Sequence, residues 1–360
     1  MLLLEVVCLK VVVYAICKNE EKFVSRWVES VLEADEIVVL DTGSTDHSVE
    51  KLRSLGVKVV EKEIKPWRFD VARNESLALV DDDADICVCL DLDEVIEKGW
   101  RNVLEDCFAK EKPTRVSYLY HWKLDQDDRP LVSFWIDKIH IRNHYSWKNA
   151  VHEVLVSDQE EKIVEVPIVV KHYPDVAKSR EQYLPLLEQS VQEDPQNDRN
   201  LHYLGREYMY KQRWEECIKT LHQHLRCKNA TWKDERCASM RFMARAYFAL
   251  EYKEEAEFWW RKATKEAPYL REGYVELADF LCLEKRYDEA YEMMHKAFAI
   301  KEKSKSYINE EFAWNDTFYD LFSIVSFYSG HQKEALSYVQ KALEFNPFES
   351  RYQKNLEFMQ

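Results

Sequence analysis

Ile86-Cys87-Val88-Cys89-Leu90-Asp91-Leu92-Asp93-Glu94 starts as an unbroken apolar run and ends in acids. Five apolar residues bounded by charge predict a buried strand over Ile86–Leu90. Such a strand delivers Asp91 and Asp93 at its carboxyl end, the edge where open α/β sheets bind ligands. Two carboxylates one residue apart can meet a hard divalent cation and a ribose together. Acids after a strand also describe a solvated turn, so the flanking sequence has to decide.

Upstream, Val11–Cys17 reads as a strand and Glu20–Leu32 as a helix carrying Phe23, Trp27, Val28, Val31 and Leu32 at helical spacing. Glu36–Leu40 is a second strand, Thr45–Leu55 a helix, Val57–Glu61 a third strand and Asp70–Val80 a helix. Downstream, Arg115–Tyr120, Phe134–Ile141, Glu153–Val156 and Ile163–Val170 are β-type. Alternating strands and helices predict an α/β domain with a mostly parallel, Rossmann-like sheet. In that sheet the first strand ends in Cys17-Lys18-Asn19-Glu20 and the second in Asp41-Thr42-Gly43-Ser44-Thr45-Asp46. Three parallel strands then end in polar groups that can converge on one ligand. Arg68 and Arg73 lie between the second and fourth strand ends, and a planar guanidinium suits phosphate.

From about Ser179 the β-type runs vanish and amphipathic helical patterns follow. The small residues Cys217, Ala256, Ala290 and Ala335 recur at spacings of 39, 34 and 45. A small residue at a fixed place suits two helices crossing closely in a hairpin. The pattern resembles the tetratricopeptide repeat, whose period is about 34 residues, with insertions in the outer two intervals. Four repeats are expected, in an all-α domain over 176–360 that follows an α/β domain over 1–175.

Composition narrows the function. A net charge of −15, with no basic cluster, disfavours a nucleic-acid partner. No stretch approaches the ~18 unbroken apolar residues of a membrane span. Glu5 and Lys10 interrupt the apolar N-terminus, and neither a basic leader nor a small-residue cleavage site is evident. Nine cysteines, an odd number without a CxxC pair, read as free thiols, so a cytoplasmic location is expected. Neither a GxGxxG nor a GxxxxGK[ST] motif occurs, which argues against dinucleotide oxidoreductases and P-loop enzymes.

The segments AICKNEE, DEIVVLDTGSTD, FDVARNESL and CLDLDE, in this order and spacing, resemble the nucleotide-sugar-binding half of family-2 glycosyltransferases with a GT-A fold. The resemblance continues through Trp135–His140 and Trp147–Glu153 and ends at Val169–Tyr173. A GT-A domain followed by tetratricopeptide-like helices is similar to sublancin-type peptide S-glycosyltransferases and to bacterial cell-envelope sugar transferases. The resemblance implies that Ile16, Asn19 and Glu20 hold the nucleotide and that Asp41 accepts from uracil or ribose. It implies that Arg68, Arg73 and Asn74 flank uracil or diphosphate, and that Asp91 and Leu92 line the donor site. Asp93 and Asp91 would bind Mn²⁺ or Mg²⁺, with His172 at the end of the last strand as a further ligand.

The implied reaction is inverting transfer of a sugar from a UDP-sugar, UDP-glucose first, to a peptide or cell-envelope glycan. Such transfer needs a base on the acceptor side. Glu153 follows His152 and an apolar-aromatic run; Asp137 sits in a β-type run beside Trp135. Both are candidates, although Asp137 could simply pair with an arginine such as Arg142, and strand alternation would point Lys138 to the opposite face. The helical domain would present the acceptor or form a homodimer. A second reading is a non-catalytic nucleotide-binding scaffold that recruits a protein through its helices.

Overall fold

The computed structural model describes residues 9–175 and 181–360. The apolar N-terminus up to position 8, Cys8 included, and the start of the helical pattern at Ser179 lie outside the described residues. The chain divides into two compact units, residues 1–186 and 187–360.

The first unit opens with β1 (Val11–Cys17), α1 (Glu21–Ser30), β2 (Glu36–Asp41), α2 (Ser48–Ser54), β3 (Lys58–Glu61), α3 (Phe69–Leu77) and β4 (Ile86–Cys89). It continues with β5 (Glu94–Ile96), α4 (Trp100–Glu111), β6 (Arg115–Leu124), β7 (Pro130–Ile141), β8 (Tyr145–Lys148), β9 (Val154–Ser157) and β10 (Ile163–His172). One eight-stranded sheet has the order β3-β2-β1-β4-β7-β6-β10-β5. Its neighbours β3–β2, β2–β1, β1–β4 and β6–β10 run parallel, and the other three pairs antiparallel.

β1 sits inside the sheet and is apolar on both faces. Val11, Val13, Ala15 and Cys17 join a core with Trp27, Val28 and Leu52. Val12 and Tyr14 face the other core, with Leu77, Tyr145 and Trp147. Burial on both faces is what an unbroken apolar strand signals, and each buried Val or Leu contributes roughly 1.5–3 kcal/mol.

Several elements differ from the sequence expectation. β5, α4 and β8 have no counterpart in it. The β-type run expected at Glu153–Val156 starts at Val154 and leaves the main sheet, pairing with β8 as a separate two-stranded sheet. The helix expected from Thr45 starts at Ser48, because Thr42–His47 form the strand-end loop.

The second unit is helical. After α5 (Tyr183–Glu193), four hairpins follow: α6 (Asp198–Tyr210) with α7 (Trp214–Arg226), α8 (Lys233–Ala249) with α9 (Lys253–Glu266), α10 (Glu272–Leu283) with α11 (Tyr287–Ala299), and α12 (Asp316–Tyr328) with α13 (Gln332–Phe345). α14 (Ser350–Met359) ends the chain. Each hairpin turn is closed by the same backbone bond: Arg213 N to Tyr208 O, Tyr252 N to Tyr247 O, Arg286 N to Leu281 O and His331 N to Ser326 O, at 2.8–2.9 Å. The middle residue of each turn, Gln212, Glu251, Lys285 or Gly330, has φ between 58° and 81°, the left-handed helix stop that permits such a bond.

Cys217, Ala256, Ala290 and Ala335 are fully buried where the helices of each pair meet. Gly205 shows how tight the first crossing is: a Cβ there would lie 2.2 Å from Leu221 Cδ2. The longest interval comes from a connector, residues 300–315, between α11 and α12.

Candidate functional site

The site grows from the carboxyl edge of β2, β1 and β4. Register pairs Cys17 with Asp41 and Tyr14 with Cys89, so the chain leaves all three strands at one edge. The Asp41 carboxylate is taken up by its own turn. Oδ2 accepts from Gly43 N at 3.0 Å and Ser44 N at 2.9 Å, and Oδ1 from Ser44 Oγ at 2.5 Å. Gly43 at φ 108° makes this loop possible. Asn19 ties the first strand end to the second: its N donates to Ser44 Oγ at 2.9 Å, and its Oδ1 accepts from Thr45 N at 2.7 Å. Glu20 N donates to Ser48 Oγ at 2.8 Å. Ile16 is the penultimate residue of β1, paired with Leu40. A cleft of about 340 Å³ opens beside Asn19, lined also by Glu21, Lys22, Asp46, Lys51 and Asp175.

Beyond β4 lies a buried charge cluster. Arg73 of α3 donates to both Asp91 oxygens at 2.8 and 3.0 Å and to Glu153 Oε1 at 2.5 Å. Its guanidinium lies 5.0 Å from the Trp147 ring centroid. Lys138 donates to Asp91 Oδ2 at 3.2 Å and to both Glu94 oxygens at 2.8 and 3.0 Å. Tyr120 OH closes the network on Glu94 Oε1 at 2.8 Å. Burial alone would neutralise these groups. Arg73, then Lys138, instead hold Asp91 well below the usual carboxylate range. Burial does push Glu94 up, against the pull of Lys138.

Asp93 faces a different neighbour. β5 runs antiparallel to β10 and pairs Glu94 with His172. Tyr173 N donates to Asp93 O at 2.7 Å. His172 Nε2 then lies 3.4 Å from Asp93 Oδ2, while Nδ1 meets Trp122 O at 3.1 Å. A carbonyl accepts only, so Nδ1 carries a proton and Nε2 is left to the carboxylate. Burial disfavours the imidazolium, but Asp93 outweighs it and raises His172 above its ordinary value. Trp122 stacks on the His172 ring at 4.4 Å between centroids, 40% exposed, as an aromatic wall beside the pair.

Of the expected metal ligands, Asp93 and His172 therefore come together. Asp91, expected beside them, has both its oxygens held by Arg73 and Lys138. Among the described residues, no group of three or more His, Cys, Asp or Glu side chains is arranged to hold a metal ion. Other expected donor residues turn inward. Asn74 clamps β8, with Nδ2 to Trp147 O at 2.9 Å and Oδ1 from Trp147 N at 2.8 Å. Arg68 forks onto Asp70 at 3.0 Å twice. Leu92 is 2% exposed and belongs to the core.

The two candidate bases also separate. Glu153 joins the cluster, with Oε1 anchored by Arg73. Asp137 pairs instead with Arg115 at 3.3 Å, while Arg142 goes to Val80 O and Asp82. Lys138, expected on the far face, is a main site residue. The cause is a β-bulge: Val116 pairs with Ile139 and Tyr118 with Ile136, so β7 carries one residue more than β6 at Asp137–Lys138. A bulge breaks alternation and re-aims a side chain. Glu94 and Lys138 were missed by sequence reasoning; the third acid of the LDLDE run was the available signal.

Residues 12–144 match the family described as Glycosyl transferase family 2. An uncharacterized glycosyltransferase of Rickettsia bellii is 35% identical over 134 residues, 36% of this chain and 44% of that protein. The lipopolysaccharide core biosynthesis glycosyltransferase LpsC of Rhizobium meliloti is 31% identical over 98 residues, 27% of this chain and 36% of that protein. These alignments span less than half of each relative's length. Among solved structures, MamA matches 50% of this chain and 99% of its own at 19% identity and TM-score 0.38. A thermophilic TPR protein of Thermus thermophilus matches 49% of this chain and 88% of its own at 18% identity and TM-score 0.36.

Proposed function

We propose that this chain is an inverting glycosyltransferase that moves a sugar from a nucleotide-sugar donor, a UDP-sugar and first UDP-glucose, to a peptide or cell-envelope glycan. The family-2 likeness supports glycosyl transfer. One observation carries the finer reading: Asp93 and His172 converge beside a charge cluster at the carboxyl edge of the sheet, 3.4 Å apart. Arg73 and Lys138 supply two formal positive charges, while Asp91, Glu94, Glu153 and Asp93 supply four negative ones. That excess suits a divalent cation.

Asp93 and His172 would hold Mn²⁺ or Mg²⁺, which when bound offsets the charge of a departing diphosphate as a Lewis acid. The protein's own residues do the rest. The His172 proton sits on Nδ1, leaving Nε2 as the ligand atom. The loop 41–46, preset by Asp41 and Asn19, offers the rim against which a nucleoside rests. Arg73 orients Glu153 through one oxygen, leaving the other to take the acceptor's proton, a role worth about 10²–10⁴-fold in rate. Asp91 acts through Arg73 and Lys138, as a positioning residue. Trp122 offers an aromatic face for a sugar ring.

A reducing, cytoplasmic setting is part of the proposal, supported by eight free cysteines among the described residues. No helix of the described residues is long and apolar enough to cross a membrane. The test is intact-mass analysis of candidate peptides and glycans after incubation with a panel of UDP-sugars and Mn²⁺. A mass gain of one hexose, absent with Asp93→Ala, is the expected result. No transfer to any acceptor and no thermal shift with UDP and Mn²⁺ would overturn the reading in favour of a scaffold.

A further inference from the structure

Glu153 rides on a segment that leaves β8 after Lys148 and enters β9 at Val154. Within it Asn149 and His152 have φ of 77° and 52°. Left-handed backbone at non-glycine residues persists where the surroundings over-determine it. Here those surroundings come largely from one helix, α3. Phe69 N donates to Ala150 O at 2.9 Å. Asn74 engages both backbone polar atoms of Trp147: Nδ2 donates to its O at 2.9 Å, and Oδ1 accepts from its N at 2.8 Å. Arg73 Nε reaches Glu153 Oε1 at 2.5 Å. Three residues of α3 thus fix Trp147, Ala150 and Glu153, at even intervals along the segment. Tyr183 adds its ring edge-on to Phe69 and His152, with centroids 6.0 and 5.7 Å apart.

The Trp147 indole is fixed as well. It is buried and lies 5.0 Å from the Arg73 guanidinium, a cation–π contact. Nε1 donates to Tyr14 OH at 3.0 Å. Tyr14 OH then donates onward to His140 Nε2, 2.9 Å away. The direction follows from His140 Nδ1, which lies 2.7 Å from Ile141 O. A carbonyl only accepts, so Nδ1 holds the proton and Nε2 accepts. Burial holds this imidazole down at about 3 and so keeps it neutral. The relay therefore runs one way, from the indole through the phenol to the imidazole.

We infer, on the reading of Glu153 as the base, that Asn74 and Trp147 are its positioning residues. Asn74 belongs to the frame of the base loop and not to the nucleotide, because both ends of its amide are engaged by the Trp147 backbone. Trp147 floors Arg73, and the Arg73–Glu153 pair then presents its second carboxylate oxygen in one direction. A base out of place loses rate while donor binding persists.

The test compares the full chain with its Asn74→Ala, Trp147→Phe and Glu153→Gln variants, using a UDP-sugar and acceptor that the wild type turns over. Asn74→Ala should lower kcat by about ten-fold or more, with UDP affinity by calorimetry kept within about two-fold. In a Glu153→Gln background the same substitution should lower kcat by less than about two-fold, because both changes act through one group. A parallel loss of UDP affinity would return Asn74 to the nucleotide and overturn the inference, as would full additivity with Glu153→Gln. Should Asn74→Ala fail to fold, Trp147→Phe decides: it keeps a ring under Arg73 and loses the bond to Tyr14. Its kcat should fall several-fold at unchanged UDP affinity, and an unchanged kcat would overturn the inference. A wild type that transfers no sugar brings down the transferase reading and this role with it; an active wild type matched by Asn74→Ala brings down the positioning role alone.

Discussion

Each unit buries two cations among acids, yet the two clusters are finished differently. In the first, Arg73 and Lys138 meet Asp91, Glu94 and Glu153, all from the sheet and its adjoining loops. Nothing is borrowed, and negative charge is left over at a rim where Asp93 and His172 meet. In the second, Arg241 and Arg245 meet Glu276 of the helices and Glu310 of a connector, with the buried Glu272 also acting on Arg241. The first cluster is completed by acids of its own sheet and loops. The second includes a carboxylate from a connector between two hairpins. A buried ion network can thus be drawn from neighbouring elements alone or can tie a connector to its helices, and the origin of its last carboxylate distinguishes them.

The sharpest way to break this comparison is Asp93→Ala. It removes the acid that takes no part in the Arg73–Lys138 cluster, so transfer should fall by about 10³-fold or more, a few kcal/mol of barrier, with melting unchanged. A matching loss of melting temperature would mean that Asp93 belongs to the scaffold. Arg73→Met strikes the scaffold itself. It leaves Asp91 and Glu153 without their shared cation, and the first unit should lose about 3–5 kcal/mol, read by denaturant unfolding. A loss below about 1 kcal/mol would show the cluster to be a surface arrangement.

Glu153→Gln keeps the Arg73 contact and removes the basic oxygen. Transfer should drop by about 10²-fold while UDP affinity stays within about two-fold. Equal losses in both would assign Glu153 to donor binding.

The effect that is smallest per step concerns acid. Burial holds the buried His140 imidazole of the first unit and the His202 imidazole of the second down at about 3, against an ordinary 6.5. Both folded values lie below the unfolded one, so the unfolded chain takes up protons first. Stability is full above pH 6.5 and falls as pH drops from 6.5 toward 3, by about 1.4 kcal/mol per pH unit for each ring. Glu276 adds to the second unit below pH 4.5. Burial opposes its charge, but Arg241 and Arg245 hold it down at about 2. His202→Gln should flatten the acid slope of the helical unit alone; an unchanged slope would mean that the ring is not kept neutral by the fold.

Much of this was legible in the chain. β1, β2 and β4 announce themselves as apolar runs, because a largely buried strand has no polar alternation to hide it. The helical repeat showed in four small residues, and the insertion expected in its 45-residue interval is the connector between α11 and α12. The candidate site was legible as a place and less so as roles. Asp91 and Asn74 sit where expected, but their partners, Arg73 with Lys138 and the Trp147 backbone, are distant in sequence. No local pattern records which acid a distant cation will claim. Asp41 could be read only as ligand or turn, and its own turn satisfies it. α4 and β5 lack a clean apolar period, since tertiary burial of Trp100 and Ile96 rather than local patterning defines them.

The extra residue of β7 has a consequence for how this sheet can vary. Deleting Lys138 from that strand would restore strict pleating and leave Asp137 in its place. The rim would then gain a negative group and lose a positive one, a swing of two charges from a single codon. Asp91 and Glu94 would face each other without their ammonium. Relatives that differ by one residue at this point should therefore differ in what they can hold there, even where every other side chain is the same.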